Sequence, residues 1–408
     1  MQHLKKPMPK VLITGNGFDL SLGLPTSYSD FITIINLLNS EIKIDFETIY
    51  SKTGNYNYIK ENYKVFELEY EKIETLRVES KNNLWFKFFK NELEVETWID
   101  FENRIEYVLD ILFSSIKYIK ENIFSKGSLS MKNINYNTKL FNNDIEIIQV
   151  LKKFNIIRAD EYLNITLNTT YLIKKYDYYI DFDLNKIAKT LSEELNKFKK
   201  SFSSYFEIFV YPFYNNQKTR IDRTLFSTIN KHYTFNYTPT FEKIYKRAIK
   251  TNFLHGKVDL DSNQIVVGIN DLPNSEIDKR YFLPFTKYFQ KLDIDTDFDF
   301  LSEYEKKKRS NYIFFFFGHS LDSSDEDYIN EVFDFVNELK THIKKIIVIY
   351  HNKKSKSQLL INLLNIRGKK DIEVLMKNKN LVFYQIDSIE LKRELKKDIS
   401  SGTRISVI

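Results

Sequence analysis

The sequence predicts an α/β fold in which a mostly parallel sheet is interrupted by a large, mainly helical insertion. The β-branched run at 11–14 (VLIT) ends in Gly15-Asn16-Gly17, as a buried strand entering a tight turn does. From about residue 40 to 200, helical periodicity dominates and strand-like runs are rare. Apolar strand-length runs then return and alternate with helical patterns, which is typical of a parallel sheet covered on both faces.

Each predicted element follows from a local pattern of apolar residues. Helical spacing after Pro25 predicts a helix that buries Tyr28, Phe31, Ile34, Ile35 and Leu38. One-sided apolar faces predict two longer helices in the insertion, around 98–112 and 184–198. Apolar runs predict the remaining strands at 232–236, 252–255, 265–269, 312–317, 346–350 and 381–385. Helical patterns separate several of these strands, at 240–248, 325–339 and 358–366.

The length of the chain predicts more than one structural unit. A single hydrophobic core usually stops growing well below 408 residues. We therefore expect residues 1–39 to form the first strand, loop and helix of the sheet domain. Residues 40–205 would form the mostly helical insertion, and residues 206–408 would complete the sheet domain.

Composition limits the classes of function. The chain has no cysteine, which excludes disulfides, thiolate zinc sites and a catalytic thiol, and fits a reducing compartment. No apolar signal-peptide core precedes the first strand, and the longest apolar runs are too short to span a bilayer. We therefore expect a cytoplasmic protein with no membrane contact. The net charge of +6 is small for this length, so nucleic acid is not the favoured partner.

Four polar or glycine-containing motifs follow predicted strands. They are 15–19 (GNGFD) with 23–26 (GLPT), 232–238 (HYTFNYT), 254–256 (LHG) and 317–325 (FGHSLDSSD). Ligands of open α/β sheets bind outside the carboxyl ends of the strands. We therefore expect these motifs to converge on one edge of one sheet.

Each motif also has a purely structural interpretation. Glycines after a first strand let backbone N–H groups approach a phosphate, but they also suit a tight turn without a ligand. The spacing is neither G-x-G-x-x-G nor that of a P-loop. Asn236 at a strand end can contact a ligand or cap the helix beginning near Thr240. His255 can act as a general base, although a lone histidine is more often structural. Asp325 can cap the following helix.

Several segments resemble, in the same order, the motifs of the AbiH family of bacterial abortive-infection, anti-phage proteins. They are 15–31 (GNGFDLSLGLPTSYSDF), 98–102 (WIDFE), 234–245 (TFNYTPTFEKIY), 254–259 (LHGKVD), 266–271 (VVGIND) and 317–329 (FGHSLDSSDEDYI). The resemblance spans nearly the whole chain and implies an effector of anti-phage defence. It also implies a phage or host protein as the trigger. By analogy with other defence effectors, the chain would form a homo-oligomer.

The same motifs also resemble, more distantly, those of sirtuin-like NAD-binding domains. Those domains have a G-x-G after the first strand, then G-[IL]-P, a T-x-N strand end, an H-G and a glycine-Ser-Asp loop. This chain departs from them at Asn16, at Phe18-Asp19 and at Thr238, where sirtuins have Asp, and it lacks the four-cysteine zinc ribbon. The likeness therefore implies a Rossmann-like, sirtuin-like sheet and NAD as substrate or ligand, but no deacetylase and no metal.

These resemblances imply a set of site residues for hydrolysis of an N-glycosidic bond in NAD or a related nucleotide. Asn236 would hold the ribose hydroxyls or the attacking water, His255 would be the base, and Asp19 would face the positively charged ribose. The residues expected to bind the nucleotide are Gly15, Asn16, Gly17, Phe18, Gly23, Pro25, Thr26, Tyr237, Gly256, Gly268, Asn270, Gly318, His319, Ser320 and Asp322.

Two alternative functions remain open from the sequence. A nuclease or other nucleotide-transforming toxin could use a metal or acid–base chemistry at His255, His319, Asp322 and Asp325. Basic stretches at 306–309, 353–356 and 367–370 would then touch nucleic acid. A non-enzymatic sensor would bind a nucleotide on the sheet and a protein partner on the helical block.

Overall fold

The computed structural model describes most of the chain. The described residues are 9–40, 44–90, 98–126, 129–130, 135–136, 144–160, 165–218, 222–245, 249–259, 264–270, 272, 278–294, 300–301, 311–338 and 344–396. The basic stretch predicted at 306–309 lies outside these ranges.

The central sheet has six parallel strands. They are β1 (Lys10–Thr14), β2 (Lys231–Thr234), β3 (Thr251–Phe253), β4 (Tyr312–Phe317), β5 (Lys344–Tyr350) and β6 (Leu381–Gln385). Their spatial order is β3-β2-β1-β4-β5-β6, and every neighbouring pair is parallel. This 3-2-1-4-5-6 order is that of a doubly wound, Rossmann-like sheet. The predicted fold class is therefore confirmed.

Alternating side chains of the central strands enter two cores on opposite faces of the sheet. Leu12 and Phe315 face the larger core, which also contains the apolar side chains of the helical block. Val11, Ile13 and Phe314 face the smaller core, formed with the helices that follow β4 and β5. All six residues of β4 are buried, as expected for a strand covered on both faces.

Helices cover both faces of the sheet. The α-helices are Asn16–Leu20, Tyr28–Asn39, Phe46–Tyr50, Tyr56–Asn62, Tyr70–Asn82, Leu84–Phe89, Trp98–Asn122, Ile145–Lys153, Leu184–Phe209, Thr240–Tyr245, Lys287–Asp293, Glu326–Asn337, Lys353–Lys377 and Ile389–Lys396. Short 3-10 helices lie at Phe124–Lys126, Thr169–Tyr171, Tyr211–Tyr214, Lys279–Tyr281, Leu283–Phe285 and Ser323–Asp325. In the part of the chain described above, no helix is long and apolar enough to cross a membrane.

The helical block is less purely helical than its sequence suggests. It contains two small antiparallel sheets, one of Leu129–Ser130, Leu172–Lys175 and Tyr178–Phe182, the other of Asn135–Tyr136, Ile157–Ala159 and Ile165–Leu167. It shares one continuous core with the central sheet, and helix Leu184–Phe209 crosses the predicted boundary at 205. The division into domains at 39/40 and 205/206 stays a prediction.

One predicted strand is wrong. Residues 265–269 are buried but form no strand, and only Ile269 makes an isolated bridge, to Thr286. The backbone polar groups of this segment are satisfied locally: Val266 N–H donates to the His255 carbonyl, and Val267 N–H donates to Gln290 Oε1. An apolar run can therefore be buried as a loop when carbonyls of other segments and a side chain together replace the ladder hydrogen bonds.

Candidate functional site

The carboxyl ends of the central strands open into one pocket of about 600 Å³. It lies where the connections of the sheet change direction, between β1 and β4, which is the position at which doubly wound sheets bind ligands. Its walls also include side chains from helices outside the sheet. The volume falls in the range typical of small-molecule sites.

Three glycines allow the turns after β1 and β4 to pack directly against each other. A Cβ on Gly15 would lie 2.6 Å from His319 Cα, and a Cβ on Gly17 would lie 2.8 Å from Gly318 Cα. Gly15 N–H donates to the Phe317 carbonyl at 3.0 Å, and Gly17 N–H donates to the Gly318 carbonyl at 2.8 Å. These two amides are already used, so they are not donors for a phosphate.

Gly318→Ala is expected to destabilise the protein by about 2–4 kcal/mol. Gly318 has φ of 70°, and its added Cβ would lie 2.0 Å from Phe18 N, so the substitution combines backbone strain with a clash. Urea unfolding measures the loss. Gly54→Ala is the matched control, because no atom lies within 4 Å of its added Cβ. An equal effect of both substitutions would contradict the packing role of Gly318.

A buried carboxylate, Asp325, lies between two histidines of the pocket. Its Oδ1 is 3.0 Å from His255 Nε2, and its Oδ2 is 3.1 Å from His319 Nε2. The contact with His319 has hydrogen-bond geometry, whereas the contact with His255 is close but not aligned as a hydrogen bond. Burial opposes the charge on Asp325, but His255 and the Lys287 ammonium hold its pKa well below the usual value.

The hydrogen bonds of His319 assign its protons. Leu321 N–H donates to His319 Nδ1 at 2.9 Å, so that nitrogen carries a lone pair. Nε2 of the neutral ring therefore holds the proton and donates to Asp325 Oδ2. His319 thus fixes one side of the carboxylate, and the other side is left for His255.

His255 is a neutral imidazole at the pocket wall. It is buried, and burial lowers its pKa to about 4 although Asp325 raises it. At neutral pH the ring therefore carries one proton and one lone pair, as a general base requires. With the proton on Nε2, facing Asp325, Nδ1 is the nitrogen that accepts.

Asp19 and Asn236 form a second polar group of the pocket wall. Thr238 Oγ1 donates a hydrogen bond to Asp19 Oδ2, and Asp19 Oδ1 has no hydrogen-bond partner among the described residues. Burial raises the pKa of Asp19 to about 7, and Thr238, Thr240 and Asn236 each lower it. Asn236 thus lies close to Asp19 without making an aligned hydrogen bond to Oδ1. A buried, unpartnered carboxylate oxygen can accept a hydrogen bond from a ligand or face a positive charge.

Glu102 and Lys287 add a charged pair that sequence reasoning missed. Lys287 Nζ lies 2.7 Å from Glu102 Oε2, and both side chains line the pocket. Burial raises the pKa of Glu102 to about 7. Burial opposes the charge on Lys287, but the nearby carboxylates of Glu102 and Asp325 outweigh it and raise the pKa of Lys287. Lys287 therefore keeps its charge at neutral pH, and Glu102 takes up a proton first as the pH falls. The WIDFE motif contained Glu102, but nothing in the sequence joined it to Lys287.

The structure brings together most of the residues predicted from the sequence. Those that line the pocket are Gly15, Asn16, Gly17, Asp19, Thr26, Asn236, Tyr237, His255, Gly318, His319 and Ser320. The end of β5, the turn after it and the beginning of helix Lys353–Lys377 add residues that the sequence did not assign to the nucleotide site, although 353–356 was noted as a basic stretch. They are Tyr350, His351, Asn352, Lys354, Ser355 and Gln358. The sequence pattern that could have identified them is the end of β5, which is a fifth strand followed by polar residues.

The other predicted binding residues lie outside the pocket lining. These are Phe18, Gly23, Pro25, Gly256, Gly268, Asn270 and Asp322. Three have clear packing roles: Phe18 lies among aromatic rings, Gly256 has φ of 79° with Gln264 against it, and Gly268 packs on the Phe285 carbonyl. The Asp322 side chain accepts a hydrogen bond from Ser324 N–H, which makes it a helix cap.

Three of the four side chains that a metal-dependent nuclease would use do lie together, as His255, His319 and Asp325. Both ring nitrogens of His319 are used, one as acceptor and one as donor, so the ring has no lone pair for a metal in this arrangement. Within the described ranges, no group of three or more His, Asp or Glu residues could hold a metal ion.

Comparisons with known proteins identify the family. No curated protein and no solved structure matches the chain at a significant level, so the likeness to sirtuin-like domains gains no support and stays a prediction. A family model described as Bacteriophage abortive infection AbiH matches residues 11–350, which is most of the chain and includes each of the strand ends that form the pocket. The chain therefore belongs to the AbiH family of bacteriophage abortive-infection proteins.

Proposed function

We propose that this abortive-infection protein hydrolyses the N-glycosidic bond of NAD or a related nucleotide when a phage or host protein triggers it. The observation that carries the proposal is the convergence of Asp19, Asn236 and His255. They follow different strands or loops of the chain and line one pocket, at the switch point of a 3-2-1-4-5-6 sheet. Loss of a central cofactor would arrest the infected host, which fits an abortive-infection role.

The geometry supports His255 as the base for the attacking water. His255 is neutral at pH 7 and lies beside the Asp325 carboxylate, which stabilises the imidazolium formed when the ring takes a proton. The water oxygen bonds to C1′ of the ribose, its proton passes to His255, and the electron pair of the C1′–N bond goes to the pyridinium nitrogen. Nicotinamide leaves as a neutral molecule, so no general acid is needed.

The same pocket offers negative charge to the transition state. The ribose becomes positively charged as the C1′–N bond breaks, and a preorganised carboxylate in a dry site stabilises that charge. Asp19 is fully buried on the pocket wall, and its Oδ1 has no partner among the described residues. Asn236, beside it, is suited to hold a ribose hydroxyl.

The far end of the pocket would hold the second nucleotide. It is lined by Tyr350, Asn352, Lys354 and Ser355, around the start of helix Lys353–Lys377. Lys354 brings positive charge to this end, and the aromatic ring of Tyr350 offers a surface for stacking. A dinucleotide across the switch point would use both ends of the pocket.

A chromatographic assay of the purified chain with NAD tests the proposal. Wild type is expected to release nicotinamide and ADP-ribose with or without divalent metal, whereas Asn236→Ala and His255→Ala are expected to be inactive. The assay is repeated with lysate from infected cells, because an effector that requires a trigger is silent without one. Intact NAD under both conditions would overturn the proposal. Cleavage of nucleic acid that depends on metal would favour the nuclease, and binding without turnover would favour the sensor.

A further inference from the structure

Glu102 and Lys287 form an ion pair on the pocket wall that has no role in the reaction proposed above. Glu102 comes from helix Trp98–Asn122, and Lys287 is the first residue of helix Lys287–Asp293, so both lie outside the central sheet. Lys287 is 4 % exposed. Replacing a buried ion pair by apolar side chains is often neutral or stabilising. Its stability contribution therefore does not explain a charged pair that faces a cavity.

The pair lies at the reacting end of the pocket. Lys287 and Glu102 line the same pocket as His255 and Asp325, and both interact electrostatically with Asp325, the carboxylate that contacts His255. The ammonium of Lys287 is a hydrogen-bond donor, and the carboxylate of Glu102, 2.7 Å away, is an acceptor. Together they present adjacent donor and acceptor groups to whatever occupies the space beside His255.

We propose that Glu102 and Lys287 recognise the carboxamide of the leaving base, and that the site thereby selects a carboxamide over a carboxylate. Lys287 donates to the amide oxygen, and Glu102 accepts from the amide N–H. The inference rests on the function proposed above, and it names the substrate class as nucleotides whose leaving base carries a primary carboxamide.

The charges beside Glu102 and Lys287 disfavour a leaving base that carries a carboxylate in place of the carboxamide. A carboxylate would lie beside Glu102 and near Asp325 with Lys287 as the nearby cation, and like charges in a buried site are costly. It would also leave Glu102 without the N–H donor that the carboxamide supplies. A site that hydrogen-bonds a polar group rejects analogues lacking it. We expect the deamidated analogue of NAD, with carboxylate in place of carboxamide, to bind about 10- to 100-fold more weakly.

The test measures dissociation constants for NAD and its deamidated analogue by calorimetry at pH 8, where Glu102 is ionised. The full chain carries His255→Gln, so that both ligands stay intact. Glu102→Gln on this background removes the negative charge and keeps the shape, and it is expected to reduce the preference for NAD to about threefold or less. Glu207→Gln is the matched control: Glu207 pairs with Lys72 at 2.9 Å, does not line the pocket, and should leave the preference unchanged.

The outcomes separate this inference from the proposed reaction. Equal binding of the two ligands, or a preference that Glu102→Gln leaves intact, overturns carboxamide recognition even if wild type cleaves NAD. A preference that depends on Glu102 in a chain that never cleaves NAD supports carboxamide recognition and overturns the hydrolase. If neither ligand binds, both are overturned.

Discussion

Asp325→Asn is expected to slow the release of nicotinamide from NAD about 1,000-fold while the dissociation constant for NAD changes less than about threefold. Asp325 Oδ1 lies 3.0 Å from His255 Nε2, and although this contact is not aligned as a hydrogen bond, the negative charge favours the tautomer with the proton on that nitrogen. Nδ1 is then the base. The carboxylate also stabilises the imidazolium that forms when water gives up its proton, so its charge acts in the transition state and little in substrate binding.

The asparagine reverses the proton arrangement of His255. Its single carbonyl oxygen stays with His319 Nε2–H, because His319 Nδ1 is fixed as an acceptor by Leu321 N–H. The amide N–H of the new side chain then faces His255 Nε2 and donates to it. The histidine proton moves to Nδ1, and the lone pair that should accept a proton from water is lost.

Single-turnover kinetics and calorimetric binding of NAD check this prediction, with thermal unfolding to confirm that the variant folds. Asp334→Asn is the control, since Asp334 pairs with Arg367 at 2.7 Å and does not line the pocket. His255→Gln should be as slow as Asp325→Asn, and the double variant should be no slower, because the two residues act as one unit. A rate within about threefold of wild type for Asp325→Asn would refute the assigned base.

The convergence of strand ends was predictable because it follows from topology alone. An apolar run such as 312–317 that stops at Gly318 identifies a buried strand and its carboxyl end. Once the strands are parallel, these ends must share one edge of the sheet. His255 and Asn236 could therefore be placed near each other from the sequence, although they come from different strands.

The Glu102–Lys287 pair could not be predicted from the sequence, because it depends on how the helical block packs against the sheet. The two residues are far apart in the chain, and each has an ordinary helical neighbourhood.

The glycines after β1 show a second limit of prediction from the sequence. A glycine has no Cβ, which suits both phosphate binding and close packing of two turns. The structure distinguishes these roles, because the amides of Gly15 and Gly17 donate to carbonyls at and directly after the end of β4.

Asp19→Asn is expected to raise the free energy of unfolding at pH 8 by up to about 4 kcal/mol and to abolish cleavage of NAD. The Asp19 carboxyl has a pKa of about 7 in the folded chain, against the ordinary value of 3.8, because burial disfavours its charged form. The folded protein therefore binds more protons than the unfolded chain between about pH 4 and 7. Wild-type stability falls as the pH rises through that window, and it stays reduced above it.

The asparagine is neutral at every pH, and its carbonyl oxygen can keep the hydrogen bond from Thr238 Oγ1. The gain in stability should therefore be largest at pH 8 and small near pH 4. Urea unfolding at both pH values measures it. Asp183→Asn is the control, because Asp183 caps helix Leu184–Phe209 through Lys186 N–H and asparagine caps equally well.

Cleavage of NAD should decrease in Asp19→Asn although stability increases. The transition state needs the Asp19 carboxylate in its charged form, which burial disfavours. Cleavage by wild type is expected to rise with pH through about 7, as Asp19 ionises while His255, with a pKa of about 4, stays neutral. Thr238→Val removes the hydrogen bond that lowers the pKa of Asp19, so it should move this rise to higher pH. An Asp19→Asn protein that is less stable than wild type at pH 8 would contradict the raised pKa of Asp19. One that still cleaves NAD would remove Asp19 from the mechanism.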